Sequence, residues 1–138
     1  MFQPTLFDSG ELKALTLWQP YAQAVVRGLK RFETRSWPTR YRGPLAIHAA
    51  KRPLDAASRA LAERYGLREL PLGAVVAVVE MLDCVEMTAD FIAAQEPREI
   101  DWGDWRVGRW AWRFGAVEVL PEPIVARGLQ GLWTWSRG

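Results

Sequence analysis

Apolar and polar positions along this 138-residue chain switch repeatedly between two periods. Ala14 to Leu17 is a short apolar run that reads as a strand, ended by Trp18-Gln19-Pro20. Tyr21, Ala24, Val25 and Leu29 then recur at helical spacing. Pro20 suits the first turn of that helix, and Gly28 is placed to stop it as a left-handed cap. From Arg31 the period falls to two, with Phe32 and Thr34 on one side of a strand and Arg31, Glu33 and Arg35 on the other. A second strand over 45–50 follows the turn at Arg42-Gly43-Pro44. Helical spacing returns over 54–65, with Ala57, Leu61 and Tyr65 on one face and Gly66 closing it.

Residues 73–85 carry the strongest strand pattern, β-branched and nearly continuous, as expected of a central strand. Period two sets Val76, Val78, Glu80, Leu82 and Cys84 on one face, so the Glu80 carboxylate is expected to need a partner. Thr88 is the expected N-cap of a helix reaching Ala94. Residues 97–108 read as a long polar loop, 106–120 as a further strand, and 121–135 as a turn and a last strand. The order β-α-β-β-α-β-α-β-β, with short strands and no parallel crossover pattern, predicts an α+β fold: a small mixed β-barrel decorated with helices. One domain is expected over 12–138, preceded by a flexible arm over 1–11.

Composition adds three things. Eight tryptophans are many for this length. Trp110, Trp112, Trp133 and Trp135 fall in strands and should be mostly core. Trp18, Trp37, Trp102 and Trp105 stand among polar neighbours and are expected to be partly exposed. Cys84 is the only cysteine, which excludes an internal disulfide and a cysteine-based metal site. The apolar run over 73–82 is broken by Glu80 and is too short to span a bilayer, and residues 1–11 do not read as a signal peptide. A cytoplasmic protein with no membrane partner is the expectation.

Net charge is only +2, but it is unevenly spread. Residues 27–68 hold eleven Lys or Arg against three acids, whereas 80–122 hold ten acids against four Arg. That asymmetry argues either for a basic and an acidic face or for salt bridges between the two halves.

Chemistry concentrates in residues 15–51, where bulky aromatics alternate with cations, a mixture suited to stacking flat rings and neutralising phosphates. Lys30 leaves a helix end beside Arg31 and Arg35, whose like charge should disfavour its ammonium and favour use as a base. Glu33 sits between those arginines, expected to be ionised and able to accept from an exocyclic amine such as cytosine's. The other reading of this stretch is a solvated charge ladder on an edge strand. Trp18 is either a stacking platform or a barrel plug, with Gln19 and the turn-fixing Pro20 beside it. His48, the only histidine, is either a hydrogen-bonded core residue or a ligand contact. Lys51 and Arg52 at that strand's exit are candidate phosphate contacts. Arg40 and Arg42 either cap carbonyls or pair with Glu80, and Arg109 either reaches the cleft or anchors the loop to Asp104. Serine-nucleophile, P-loop and dinucleotide fingerprints are absent, and no metal or other cofactor is expected.

Five pieces taken together resemble the ASCH domain family: LTLWQPYAQAVVRGLKRFETRSW, YRGPLAIHAAK, GAVVAVVEMLDCVEM, GDWRVGRWAW and RGLQGLW. They occur in the family's order over about 14–135. The resemblance implies a PUA-like β-barrel with a cleft fringed by the Gln19-Pro20 turn, the Gly28–Arg35 segment and the polar loop before Trp110. It also implies a nucleic-acid ligand, RNA above all, with DNA possible. One branch of the family hydrolyses the acetyl amide of N4-acetylcytidine, pairing a lysine with a threonine three residues on and a later glutamate. Lys30 matches the lysine, Glu33 stands at the threonine position, and the later glutamate corresponds to Glu96 or Glu99.

The expected function is therefore RNA or modified-nucleoside binding through Trp18, Gln19, Pro20, Lys30, Glu33, Arg35, His48, Lys51 and Arg109. The alternative is a metal-independent amidohydrolase using Lys30, Glu33 and Glu96. Ribonuclease action is a third reading. Gln3-Pro4-Thr5-Leu6-Phe7 in the arm also resembles the peptides that dock on bacterial sliding clamps.

Overall fold

The computed structural model describes residues 10–136, so the Gln3–Phe7 segment and its expected clamp docking lie outside the described residues. The elements are β1 (Glu11–Leu17), α1 (Tyr21–Val26), β2 (Phe32–Arg35), β3 (Gly43–Ala49), α2 (Ala56–Arg64), β4 (Ala74–Glu86), α3 (Ala89–Ala93), α4 (Pro97–Asp101), β5 (Trp110–Val125) and β6 (Leu132–Ser136). The strands form one six-stranded sheet in the order β2-β5-β4-β3-β1-β6, curled into a half-barrel with the helices around it.

Two expectations about topology are corrected. β1 runs parallel to β3, Thr16 opposite His48, while the other neighbours are antiparallel. The crossover that parallel strands require is hidden in the sequence because it contains β2, which pairs with β5 at the far edge. The expected turn after Leu120 is also absent, since β5 continues through Pro121 and Pro123 to Val125. Its pairing with β4 skips at that point, a bulge of the kind where prolines are tolerated in a sheet.

Further register shifts along β4 break the period-two reading. Val75 and Val78 pack in one core cluster with Ala14, Ala46 and Trp133, whereas Val76, Val79 and Met81 pack in another with Leu15, Ile47 and Trp112. Glu80 is only half-buried and lies over Gly115 together with Leu82, which is 46% exposed. The residue is therefore not enclosed in the apolar row, and the reason for expecting a partner does not apply to it. Arg42 instead donates to the carbonyls of Thr39 and Tyr41 and pairs at 3.8 Å with Asp83.

Helix ends follow their local chemistry. Asp55 caps α2 by accepting from Ser58 N at 2.8 Å, and Thr88 caps α3 by accepting from Phe91 N at 3.1 Å. Gly28, at φ +74°, turns the chain so that Leu29 N and Lys30 N both donate to Ala24 O. α4 stands where a loop was expected. Pro97 starts it, and the run from Glu96 to Asp101 has no apolar stripe beyond Ile100 to announce it.

Candidate functional site

The turn at Gly28 directs Lys30 into the interior, where only 2% of it remains exposed. Its Nζ donates to Trp102 O at 2.5 Å and lies 3.1 Å from Glu33 Oε1. Glu33 Oε2 accepts from Arg35 Nε at 2.8 Å, and Arg35 Nη2 donates to Thr16 O at 3.1 Å. One polar chain thus ties the segment after α4 to β2 and to the end of β1. The charge flanking Glu33 on its other side is Lys30 and not Arg31, as the sequence had suggested. Arg31 lies outside β2 and is exposed, and its backbone N donates to both Glu99 carboxylate oxygens at 3.1 Å. An ammonium has three donors, and two of those on Lys30 are engaged by Trp102 O and Glu33 Oε1.

This chain forms one wall of a cavity of about 520 Å³ lined by Thr16, Leu17, Trp18, Tyr21, Lys30, Glu33, Thr34, Arg35, Trp102, Gly103, Asp104 and Arg109. That volume lies within the range of small-ligand sites, about 300–1,000 Å³. Trp18 stands at the rim, 55% exposed, with the Arg52 guanidinium 3.6 Å from its ring centroid. On the opposite wall Arg109 does both things proposed for it. It lines the cavity, and it pins the loop by donating to Asp104 O at 2.9 Å and to Thr34 O at 3.2 Å. Thr34 Oγ1 accepts from Asp104 N at 2.9 Å, and a Cβ on Gly103 would stand 2.7 Å from the Thr34 methyl, so this loop presses directly on β2. A hydrogen bond from Arg106, then the charge of Arg109, holds the Asp104 carboxyl below the usual range. Burial, and after it Asp55 and Glu33, raises the Tyr21 phenol, which stays protonated as a neutral wall.

The ASCH domain model matches residues 15–121, most of the chain and every residue that lines this cavity. The chain belongs to the ASCH domain family. Over 89 residues it is 37% identical to activating signal cointegrator 1 of Homo sapiens and to that of Mus musculus, a match covering 57% of this chain and 15% of theirs. The fold is also that of the crystal structure of ASCH from Zymomonas mobilis, with a TM-score of 0.56 and 17% identity over 82% of this chain and 72% of that one. A mutant of the Zymomonas protein superimposes with a TM-score of 0.55, at the same identity and coverage of this chain and over 74% of its own.

Within this ASCH domain the other predicted site residues fall elsewhere. Gln19 is 2% exposed and spends its amide on the fold: Nε2 donates to Pro71 O at 2.9 Å, and Oε1 accepts from Gln23 N at 2.9 Å at the start of α1. It and the buried Pro20 hold Trp18 in place from below and do not line the cavity. His48 and Lys51 line a different cavity beyond Thr16. His48 Nε2 is 2.7 Å from Ala126 O and Nδ1 is 3.2 Å from Thr16 Oγ1, so both ring nitrogens are engaged.

Glu96 is exposed and lines a third cavity, which Lys30 and Glu99 also border. Glu99 is a structural carboxylate, accepting from Arg31 N and Phe32 N at the start of β2. Burial raises its pKa despite those hydrogen bonds.

Trp102, expected to be partly exposed, is completely buried between Tyr21 and Tyr65 in an apolar cluster with Ala24, Ala62 and Leu67. Its polar sequence neighbours misled because the chain passes inward at the end of α4. Sequence reasoning missed Tyr21, Thr34 and Asp104 as parts of the site. For Thr34 the alternation itself misdirected, placing it opposite Glu33, whereas Phe32, Glu33 and Thr34 are all buried on this edge strand. Arg52, read from the sequence as a phosphate contact beside Lys51, stands over Trp18 at the rim of this cavity, while Lys51 does not line it.

Proposed function

We propose that this ASCH domain binds RNA and receives an unstacked base in the Lys30 cavity. The observation that carries the reading is the meeting of a half-exposed Trp18, with Arg52 over its ring, and a recessed Lys30–Glu33–Arg35 chain in one small-ligand-sized cavity. A base stacks on the indole, and Glu33 accepts from an exocyclic amine at its edge. Lys30 and Arg109 supply donors to carbonyl or phosphate oxygens. Family association with RNA binding points the same way. Single strands suit such a cavity better than a duplex, whose bases are stacked.

Anisotropy titrations of labelled single-stranded RNA, single-stranded DNA and duplex RNA test this. Single-stranded RNA should bind best, and Trp18→Ala should weaken it about fivefold or more, from a stacking term of about 1–3 kcal/mol. Equal binding by Trp18→Ala and the unchanged protein, or no binding at low salt, contradicts the proposal.

A second reading rests on the 3.1 Å approach of Lys30 Nζ to Glu33 Oε1 inside the cavity. An amine and a carboxylate so placed suit proton transfer in the hydrolysis of the N4-acetylcytidine amide. Glu33 takes the shuttle role here, because it pairs directly with Lys30, whereas Glu96 is exposed and does not line this cavity. Incubation with N4-acetylcytidine followed by chromatography decides it: cytidine formed above a Lys30→Ala control supports hydrolysis, and none ends it.

A further inference from the structure

On the other side of Thr16 lies a cavity of about 780 Å³ that the Lys30 site does not use. Thr16 borders both: its carbonyl takes Arg35 beside the first cavity, while its hydroxyl meets His48 and Trp133 Nε1 beside the second. The mouths are joined by two consecutive cations, since Lys51 lines the second cavity and Arg52 stacks on Trp18 at the rim of the first.

The second cavity has its own chemistry. Leu72, Val125 and Leu129 line it and are 39%, 87% and 57% exposed, so three apolar side chains are open to an incoming ligand. Lys51 and Arg127 are its charged lining residues, and no Asp or Glu is among them. Its wall is built in advance. The 126–130 segment is held by Ala126 O against His48 Nε2 at 2.7 Å, and Gly128 packs so closely that a Cβ there would lie 2.6 Å from the imidazole. With both nitrogens engaged, His48 serves this cavity as a floor and not as a reacting group. An apolar slot with a cationic mouth fits a flat ring carrying a phosphate.

We infer that this is a second base pocket, and that the ligand is an oligonucleotide of at least two residues. One base enters the Lys30 cavity, the phosphate between them crosses the Trp18, Lys51 and Arg52 ridge, and the neighbouring base enters between Leu72, Val125 and Leu129. This rests on the RNA reading above and adds to it that a free nucleoside fills only half of the site.

The test is a length series. Homo-oligoribonucleotides of each base, one, two and four residues long, are titrated by calorimetry against the unchanged protein, Trp18→Ala, Val125→Trp and Arg127→Glu, each checked for folding by circular dichroism. For the best-binding base, the dinucleotide should bind at least tenfold tighter than the mononucleotide. Val125→Trp, which fills the second cavity, and Arg127→Glu should each remove that step while leaving mononucleotide affinity within twofold; Trp18→Ala should weaken the mononucleotide itself.

Equal affinity for one and two residues, or a step that survives both second-cavity changes, overturns the inference and leaves the Lys30 reading standing. No binding at any length overturns both. If no length step appears but anilinonaphthalene sulfonate binds and Val125→Trp expels it, the cavity is a docking site for an apolar partner of another class, and the inference is wrong.

Discussion

Lys30 can stay buried because two acceptors, Trp102 O and Glu33 Oε1, meet its ammonium. Removing one partner of a buried ion pair strands the other, at a cost of about 3–5 kcal/mol, whereas removing both costs much less. Glu33→Met should therefore destabilise the protein by about 3 kcal/mol in urea unfolding, and Lys30→Met/Glu33→Met should recover part of that loss. Additive losses would mean the two groups are not coupled.

His48 gives a second residue-scale test. Burial lowers its pKa, only partly offset by the Ala126 carbonyl. The folded value lies below the unfolded one, so the unfolded chain takes up the proton first as pH falls. Stability is whole above about pH 6.5 and declines as pH drops from there through the folded pKa. Glu99, raised by burial, works the other way, gaining stability as pH falls through its folded pKa toward the ordinary carboxylate value. Comparison with His48→Gln isolates the histidine: the unchanged protein should lose more stability than the variant between pH 7.5 and 5.5. Equal losses would contradict the assignment.

At the scale of elements, two glycines set the site's frame for opposite reasons. At Gly28 the backbone is left-handed and a Cβ would meet nothing within 4 Å. Gly28→Ala should cost about 1–2 kcal/mol from conformation alone. At Gly128 the obstacle is space, because the Cβ would overlap His48 and Thr16 Oγ1. Gly128→Ala should cost about 1–3 kcal/mol by overpacking, and His48→Ala in the same chain should recover some of it. Failure of that rescue in thermal unfolding would mean the strap does not rest on the imidazole.

Local signals made the first of these glycines legible, as they did the cap Thr88 and the strand positions of Trp112 and Trp133. They fail where tertiary contacts decide. The parallel pairing of β1 with β3 spans an intervening strand of the far edge, and the bulges of β4 depend on β5. The inward passage of Trp102 depends on the cluster that receives it. The site shows the same division. Lys30, Glu33 and Arg35 are gathered by sequence proximity, but Arg109, Asp104 and Tyr21 arrive by folding, and His48 and Lys51 separate from them across Thr16.

Over the whole molecule, ion pairs between the two halves offset part of the uneven charge. Arg42–Asp83 and Arg64–Asp101 join the basic and acidic halves, while Arg52, Lys51 and Arg127 gather around the two cavities. None of the described helices is long and apolar enough to cross a membrane. A single strand whose phosphates meet about three of these cations should show log affinity falling with log salt at a slope of about −2. A flat salt dependence would remove phosphate contacts from the account.

The most direct measurement is of place: ultraviolet cross-linking of bound single-stranded RNA followed by peptide mapping. The account predicts adducts on the peptide carrying Trp18 and on those bordering the two cavities. Adducts confined to residues that line neither of these two cavities, such as Leu82, Val117 and Val119, would contradict it.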